Sequence, residues 1–208
     1  MKPEPTVFII DDDPAAADSL VALAQARGVR SESFRSIDQF LAAVDPLRVG
    51  CLVIDFNLLE MNGRELHTEL ATRLCHLPII LLDGMAGVSK IVKVMEEGAF
   101  SVIEKTSTEQ VLWQKIELAI RSNAAAWQEH AAWVEAERRL ATLTPGETEV
   151  LNRLISGQSN KQIAHDLIIG LRTVELRRAR ILEKMNAGSL PELVQLVLLA
   201  RNPPSWRR

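Results

Sequence analysis

Short apolar runs alternate with helical patterns over the first hundred residues. Val7-Phe8-Ile9-Ile10, residues 29–34, Cys51-Leu52-Val53-Ile54, Pro78-Ile79-Ile80-Leu81-Leu82 and Phe100 to Glu104 read as five strands. The intervening segments carry helical spacing: 14–27 ending at Gly28, one opening at Ser36 with Gln39 three residues on, one across roughly 63–74, and 88–97 ending at Gly98. Ser36 and Gln39 form a capping-box pattern. Strands that are apolar throughout are buried on both faces, which is the habit of parallel sheets with helices on either side. The prediction for 1–106 is an α/β doubly wound five-stranded parallel sheet with right-handed crossovers.

From Ser107 the pattern changes to one long helix. Ser107 and Gln110 read as a capping box, and no Gly or Pro interrupts 107–143. Apolar residues recur every seven positions at Trp113, Ile120, Trp127, Val134 and Ala141, beside Leu112, Ala119, Ala126, Trp133 and Leu140. Such a seam serves either a coiled-coil dimer or packing of the helix on its own domains. Residues 143–208 then read as four short helices. The first opens at Thr144-Pro145-Gly146-Glu147 and ends at Gly157. The second spans Lys161 to Leu167, followed by a turn through Gly170, a third helix from about Thr173 to Met185, and a fourth opening at Ser189 with Glu192. Short helices joined by a tight, Gly-containing turn fit an all-α helix-turn-helix domain. The expected organisation is a 1–106 core, a 107–142 last helix extended into a linker, and a 143–208 helical domain.

Composition excludes several classes. At 208 residues, 47% hydrophobic and 25% charged, the chain is neither disordered nor a disulfide scaffold. No run approaches the roughly 20 apolar residues of a membrane span. The first residues have no apolar leader core, so a cytoplasmic protein away from membranes is expected. Cys51 and Cys75 read as buried free thiols. The net charge of −3 hides an asymmetry: residues 143–208 carry ten Lys and Arg against six Asp and Glu, a net +4, which leaves −7 for the rest. The basic part is the candidate for meeting a polyanion.

Ligands of doubly wound sheets bind beyond the carboxyl ends of the strands. Asp11, Asp12 and Asp13 follow the first strand, Asp55 ends the third, Asp83 the fourth, and Lys105 the fifth. Clustered carboxylates call for a cation, and hard oxygen donors suit Mg²⁺. A carboxylate beside Mg²⁺ and an ammonium can accept a phosphoryl group.

With these residues in place, 6–106 resemble the receiver domain of two-component response regulators. The matching pieces are Ile10-Asp11-Asp12-Asp13, Val53-Ile54-Asp55 with Met61-Asn62-Gly63, Gly98-Ala99 and Ile103-Glu104-Lys105. Residues 143–200 resemble the LuxR-type helix-turn-helix through Leu143-Thr144, Glu149-Val150-Leu151, Gly157, Asn160-Lys161-Gln162-Ile163-Ala164, Arg172-Thr173-Val174-Glu175 and Lys184-Met185. The order is that of FixJ/NarL-like regulators. The resemblance implies that Asp55 is the phosphoacceptor and that Lys105 pairs with the phosphoryl group. Mg²⁺ would bind at Asp11 or Asp12, Asp55 and the backbone carbonyl of Asn57. The 173–185 helix would enter the major groove of promoter DNA, with Thr173, Val174, Glu175, Leu176, Arg177, Arg178, Ala179, Arg180 and Lys184 on or near contacting or supporting positions. Lys161 would reach a phosphate.

The sequence departs from that family at four receiver positions. Asp83 stands where a Thr or Ser hydroxyl is usual, Val102 where an aromatic is usual, Thr106 after the strand-five Lys where Pro is usual, and Leu59 where Pro follows the phosphoacceptor. An ionised Asp83 has no proton to donate to a phosphoryl oxygen. The expectation is a DNA-binding transcriptional regulator, not an enzyme, acting as a homodimer through the receiver or the linker helix, with a phosphorylation switch that is weakened or lost. Asp83 would instead pair with Lys105. The alternatives are a conventional regulator phosphorylated on Asp55 by a histidine kinase, a protein-interaction module without DNA binding, and a phosphatase-like use of the same carboxylates.

Overall fold

The computed structural model describes residues 3–45, 48–72, 75–84, 88–96 and 98–203, without the side chains of 60–65, 67, 71, 88–90 and 93. The chain divides into two compact units, Met1–Trp127 and Gln128–Arg208. In the first, five parallel strands, β1 (Thr6–Ile10), β2 (Arg30–Phe34), β3 (Gly50–Asp55), β4 (Ile79–Asp83) and β5 (Ser101–Glu104), lie in the order β2-β1-β3-β4-β5. Among the described residues, α1 (Pro14–Ala26), α2 (Ile37–Ala43), α3 (Phe56–Thr72), α4 (Val88–Glu96) and the start of α5 (Glu109–Leu140) belong to it.

The period of two along the central strands sorts their side chains onto two faces. Phe8, Ile10, Leu52, Ile54 and Leu81 pack with Phe40 and Leu41 of α2 and Leu66 and Leu70 of α3. Val7, Ile9, Cys51, Val53, Ile80 and Leu82 pack with Leu23 and Ala24 of α1 and Trp113, Ile116 and Ala119 of α5. Both cysteines are buried and neither is in a disulfide. The edge strand β2 reads Arg-Ser-Glu-Ser-Phe, where charge blunts the open edge.

Two boundaries of this unit differ from expectation, each for a local reason. Helix α3 starts at Phe56, directly after β3. Asp55 caps it with its own side chain, accepting the Asn57 N–H at 2.6 Å. Leu59, in place of a helix-restricting Pro, sits buried one turn in. The cap of α5 is one residue later than expected: Thr108, not Ser107, accepts the Val111 N–H. Residues 73–74 and 97, the expected ends of two helices, lie outside the described residues.

Deep in this unit, Asn123 of α5 accepts the Gly50 N–H at 2.9 Å and donates to the His76 carbonyl at 2.7 Å. Gly50 is required there, since a Cβ would lie 1.8 Å from the Thr6 carbonyl oxygen.

The second unit holds α6 (Pro145–Ile155), α7 (Asn160–Asp166), α8 (Leu171–Met185) and α9 (Leu190–Arg201) around Val150, Leu151, Leu154, Ile163, Val174, Ile181, Met185, Leu193 and Val197. Capping boxes open α6 (Thr144, Glu147) and α7 (Ser159, Gln162), and Ser189 caps α9. The recognition-type helix α8 begins at Leu171, two residues before the predicted start. Gly170 is its N-cap, without a side-chain bond. The left-handed residue of the turn is Ile168, at φ 55.

Part of the apolar seam of the long helix is buried inside the units, while Val134 and Ala141 are exposed. Trp113 and Ala119 are buried in the first, and Trp133 is buried in the second, where its Nε1 donates to the Ala200 carbonyl at 3.2 Å. Packing within each unit accounts for those three side chains. Among the described residues no helix is long and apolar enough to cross a membrane.

Candidate phosphoacceptor pocket and nucleic-acid interface

The strand order reverses between β1 and β3, which is where an open α/β sheet binds ligands. Asp11 follows β1 and Asp55 ends β3, both buried. The Lys105 ammonium, reaching back from the end of β5, hydrogen-bonds Asp55 Oδ2 and lies 3.9 Å from Asp11 Oδ2. Asp55 Oδ1 meanwhile holds the Asn57 N–H. Burial pushes the Asp11 carboxyl above the ordinary carboxylate range, against the Asp13 N–H bond and Lys105, which favour its charged form. The hydrogen bond to Asp55 holds the Lys105 ammonium above its usual range.

The three aspartates after β1 divide their roles. Asp11 Oδ1 accepts the Asp13 N–H at 3.0 Å, Asp13 caps α1 through the Ala15 N–H at 3.0 Å, and Asp12 is exposed. Asp83 is buried at the end of β4, one residue beyond the Asp55↔Leu82 register. Its backbone carbonyl accepts the Lys105 N–H at 2.7 Å, while the Lys105 ammonium goes to Asp55. Val102 is half-buried against the core on the Phe8 side of the sheet.

The residues present are suited to Mg²⁺ in chemistry. Asp11 Oδ2 is a buried oxygen without a hydrogen-bond partner, facing a second carboxylate. Among the described residues no three carboxylates, imidazoles or thiols converge. A site of one or two carboxylates completed by water is the usual Mg²⁺ arrangement. Asn57 lies in the first turn of α3, with its N–H held by Asp55 Oδ1.

In the second unit the expected DNA-facing side chains separate into two sets. Lys161, Thr173, Glu175 and Arg180 are exposed. Val174 is fully buried in the core. Arg177 turns inward onto Gly146 and donates to its carbonyl at 3.2 Å, and Arg178 reaches Asn160 Oδ1 at 3.4 Å. Lys184 donates to Glu147 Oε2 at 2.6 Å and to the Thr142 carbonyl at 3.1 Å. Lys184 first, then the Thr144 N–H, holds the buried Glu147 carboxyl below its usual range. Arg172, which the sequence marks only as part of a motif, is exposed in the first turn of α8, beside exposed Leu171 and Leu176. A basic residue at the start of the second helix of a helix-turn-helix was the available signal for it.

Residues 7–117 match the response regulator receiver domain, and residues 141–197 match the bacterial regulatory proteins of the luxR family. The chain belongs to the FixJ-type response regulators. This regulator is 37% identical to the transcriptional regulatory protein FixJ of Azorhizobium caulinodans, over 96% of this chain and 94% of that one. It is 36% identical to FixJ of Rhizobium meliloti, over 96% and 98%. Among solved structures it resembles the response regulator StyR (TM-score 0.86, 34% identity, 94% of this chain and 98% of that one). It also resembles full-length FixJ from B. japonicum (TM-score 0.56, 35% identity, 96% and 98%). The regulator therefore joins a receiver to a LuxR-type DNA-binding domain.

Proposed function

We infer that this protein is a promoter-binding transcriptional regulator whose phosphorylation switch is weakened or lost. The observation that carries the reading is Asp83, buried at the end of β4 between the strands whose ends carry Asp55 and Lys105, at the position where the family places a hydroxyl. A phosphoryl group on Asp55 would meet a second anion instead of a donor. Two like charges about 4 Å apart at an effective dielectric of about 20 repel by roughly 4 kcal/mol. Asp55 is also engaged at both oxygens, one capping α3 and one on Lys105, so attack on a phosphoryl donor requires one of those bonds to yield. Val102 supplies no ring to follow a switch hydroxyl.

Mg²⁺, held by Asp11 and Asp55, would supply charge neutralisation for the incoming phosphoryl oxygens. Lys105 would pair with those oxygens, and Asp11 would keep its orphan oxygen turned into the pocket. In the second unit, Lys161, Arg172, Thr173, Glu175 and Arg180 are the exposed candidates for double-stranded promoter DNA. A cytoplasmic homodimer is part of this reading, because one small helical domain reads only one half-site. Val111 and Leu118, exposed seven residues apart on α5, are a candidate contact for it.

The intact Asp11–Asp55–Lys105 constellation favours a second reading, a conventional regulator phosphorylated on Asp55 by a histidine kinase. Intact-protein mass spectrometry after incubation with a small phosphodonor and Mg²⁺ separates the two. The expected result is little adduct on the wild type, more on Asp83→Thr, and none on Asp55→Asn. Uptake by the wild type as fast and as stable as by Asp83→Thr overturns the weakened switch. Loss of any mobility shift on duplex DNA would point to the interaction module instead.

A further inference from the structure

The exposed face of α8 is unusual for a surface that must meet a polyanion. At helical spacing it presents Arg172, Glu175, Leu176, Ala179 and Glu183, with Arg180 at its edge. The two arginines are matched by the two glutamates, and Arg177 and Arg178 are turned inward on Gly146 and Asn160. At the centre sits Leu176, 52% exposed, in an open hollow of about 590 Å³ lined by Leu171, Arg172, Glu175 and Leu176. Exposed leucine here gains nothing for the fold, since the core side of α8 is already filled by Val174, Ile181 and Met185.

Resting on the reading of this unit as promoter-binding, we propose that Leu176 is a specificity-determining residue that recognises thymine 5-methyl groups in the major groove. The occupant follows from position and chemistry. Leu176 is the sixth residue of the second helix of a helix-turn-helix, and the first residues of that helix are the ones that reach base edges. The thymine methyl is the apolar group that a base pair exposes in the major groove. A neutral face cannot draw its selectivity from phosphate contacts, which carry no sequence information. Glu175, adjacent, disfavours approach to a phosphate and can accept from a cytosine amino group. Lys161, on the preceding helix, supplies backbone attraction away from the reading face.

The test uses the full chain. Sites are selected from a random duplex library, and each thymine of the selected site is replaced in turn by uracil, which removes the methyl and nothing else. The expected result is a thymine-containing consensus in which uracil at one or two positions weakens wild-type binding about fourfold each, the worth of one buried methyl-sized group. Leu176→Ala, a change at an exposed position, binds the thymine and uracil versions alike. Equal wild-type binding to both versions at every position overturns the methyl reading while leaving promoter binding intact. Failure to enrich any sequence sinks the promoter-binding reading itself, and this inference with it.

Discussion

Replacing Lys184 by Met distinguishes a structural lysine from a DNA-contacting one. Lys184 Nζ donates to Glu147 Oε2 at 2.6 Å and to the Thr142 carbonyl at 3.1 Å, and Glu147 is 4% exposed. Glu147 also closes the capping box of α6 by accepting the Thr144 N–H at 2.9 Å, so the carboxylate keeps one partner when the lysine goes. A hydrogen bond to a charged group contributes about 1.5–3 kcal/mol, and a buried carboxylate stripped of its cation adds desolvation cost. The expected loss is about 2–3 kcal/mol, confined to the second unit, in a domain whose total stability is typically of order 5–15 kcal/mol. The pH sign follows from Glu147. Its folded carboxyl titrates below its unfolded value of 4.5, so the pair stabilises above that pH and its contribution is lost as pH falls through the folded value. In Lys184→Met that acid-dependent loss is blunted. Hydrogen exchange, read peptide by peptide in the full chain, should show faster opening of α6 and α8 and unchanged protection of the β1–β5 sheet. DNA affinity per folded molecule should stay within about twofold, because less than about 0.5 kcal/mol of binding is at stake. Wild-type protection combined with a large loss of DNA affinity would refute this reasoning and make Lys184 a phosphate contact.

Two further changes test the packing. Asn123→Ala removes the partner of the buried Gly50 N–H and one bond to the His76 carbonyl, which should cost about 1–3 kcal/mol, seen as a lower urea midpoint of the receiver. A midpoint within error of wild type would show that water replaces the amide. Ile168→Gly removes a β-branched residue from the left-handed region at a site 92% exposed. Relief of about 1–2 kcal/mol outweighs the roughly 0.5–1 kcal/mol of added unfolded-chain entropy, so the thermal midpoint of the second unit should rise. A fall would mean that Ile168 makes contacts its exposure does not suggest.

The receiver fold was legible because parallel strands buried on both faces leave short, wholly apolar runs, such as residues 7–10 and 51–54, bounded by polar residues and too short for buried helices. Strand ends are then easy to find, and Asp11, Asp55 and Lys105 follow from them. The start of α3 was harder, because Asp55 serves at once as strand end, pocket carboxylate and helix cap, and residue type does not show which hydrogen bond a carboxylate will hold. The long helix carried a true seven-residue seam, but periodicity identifies a face and not what covers it. Trp113 is buried in the first unit and Trp133 in the second.

The same limit governs the second unit. Its +4 charge counts side chains without saying where they point. Whether Arg177 or Arg180 faces outward depends on the phase of α8, which starts at Leu171 and not at Thr173, and on the absence of a side chain at Gly146, 31 residues away, where the Arg177 guanidinium packs. With Arg177, Arg178 and Lys184 drawn into contacts within their own unit, the outward face of α8 keeps two arginines against two glutamates. The basic count correctly suggested a DNA-binding unit, yet the reading surface it produces is nearly neutral. Where those side chains point follows from the backbone register of α8, which the charge count does not contain.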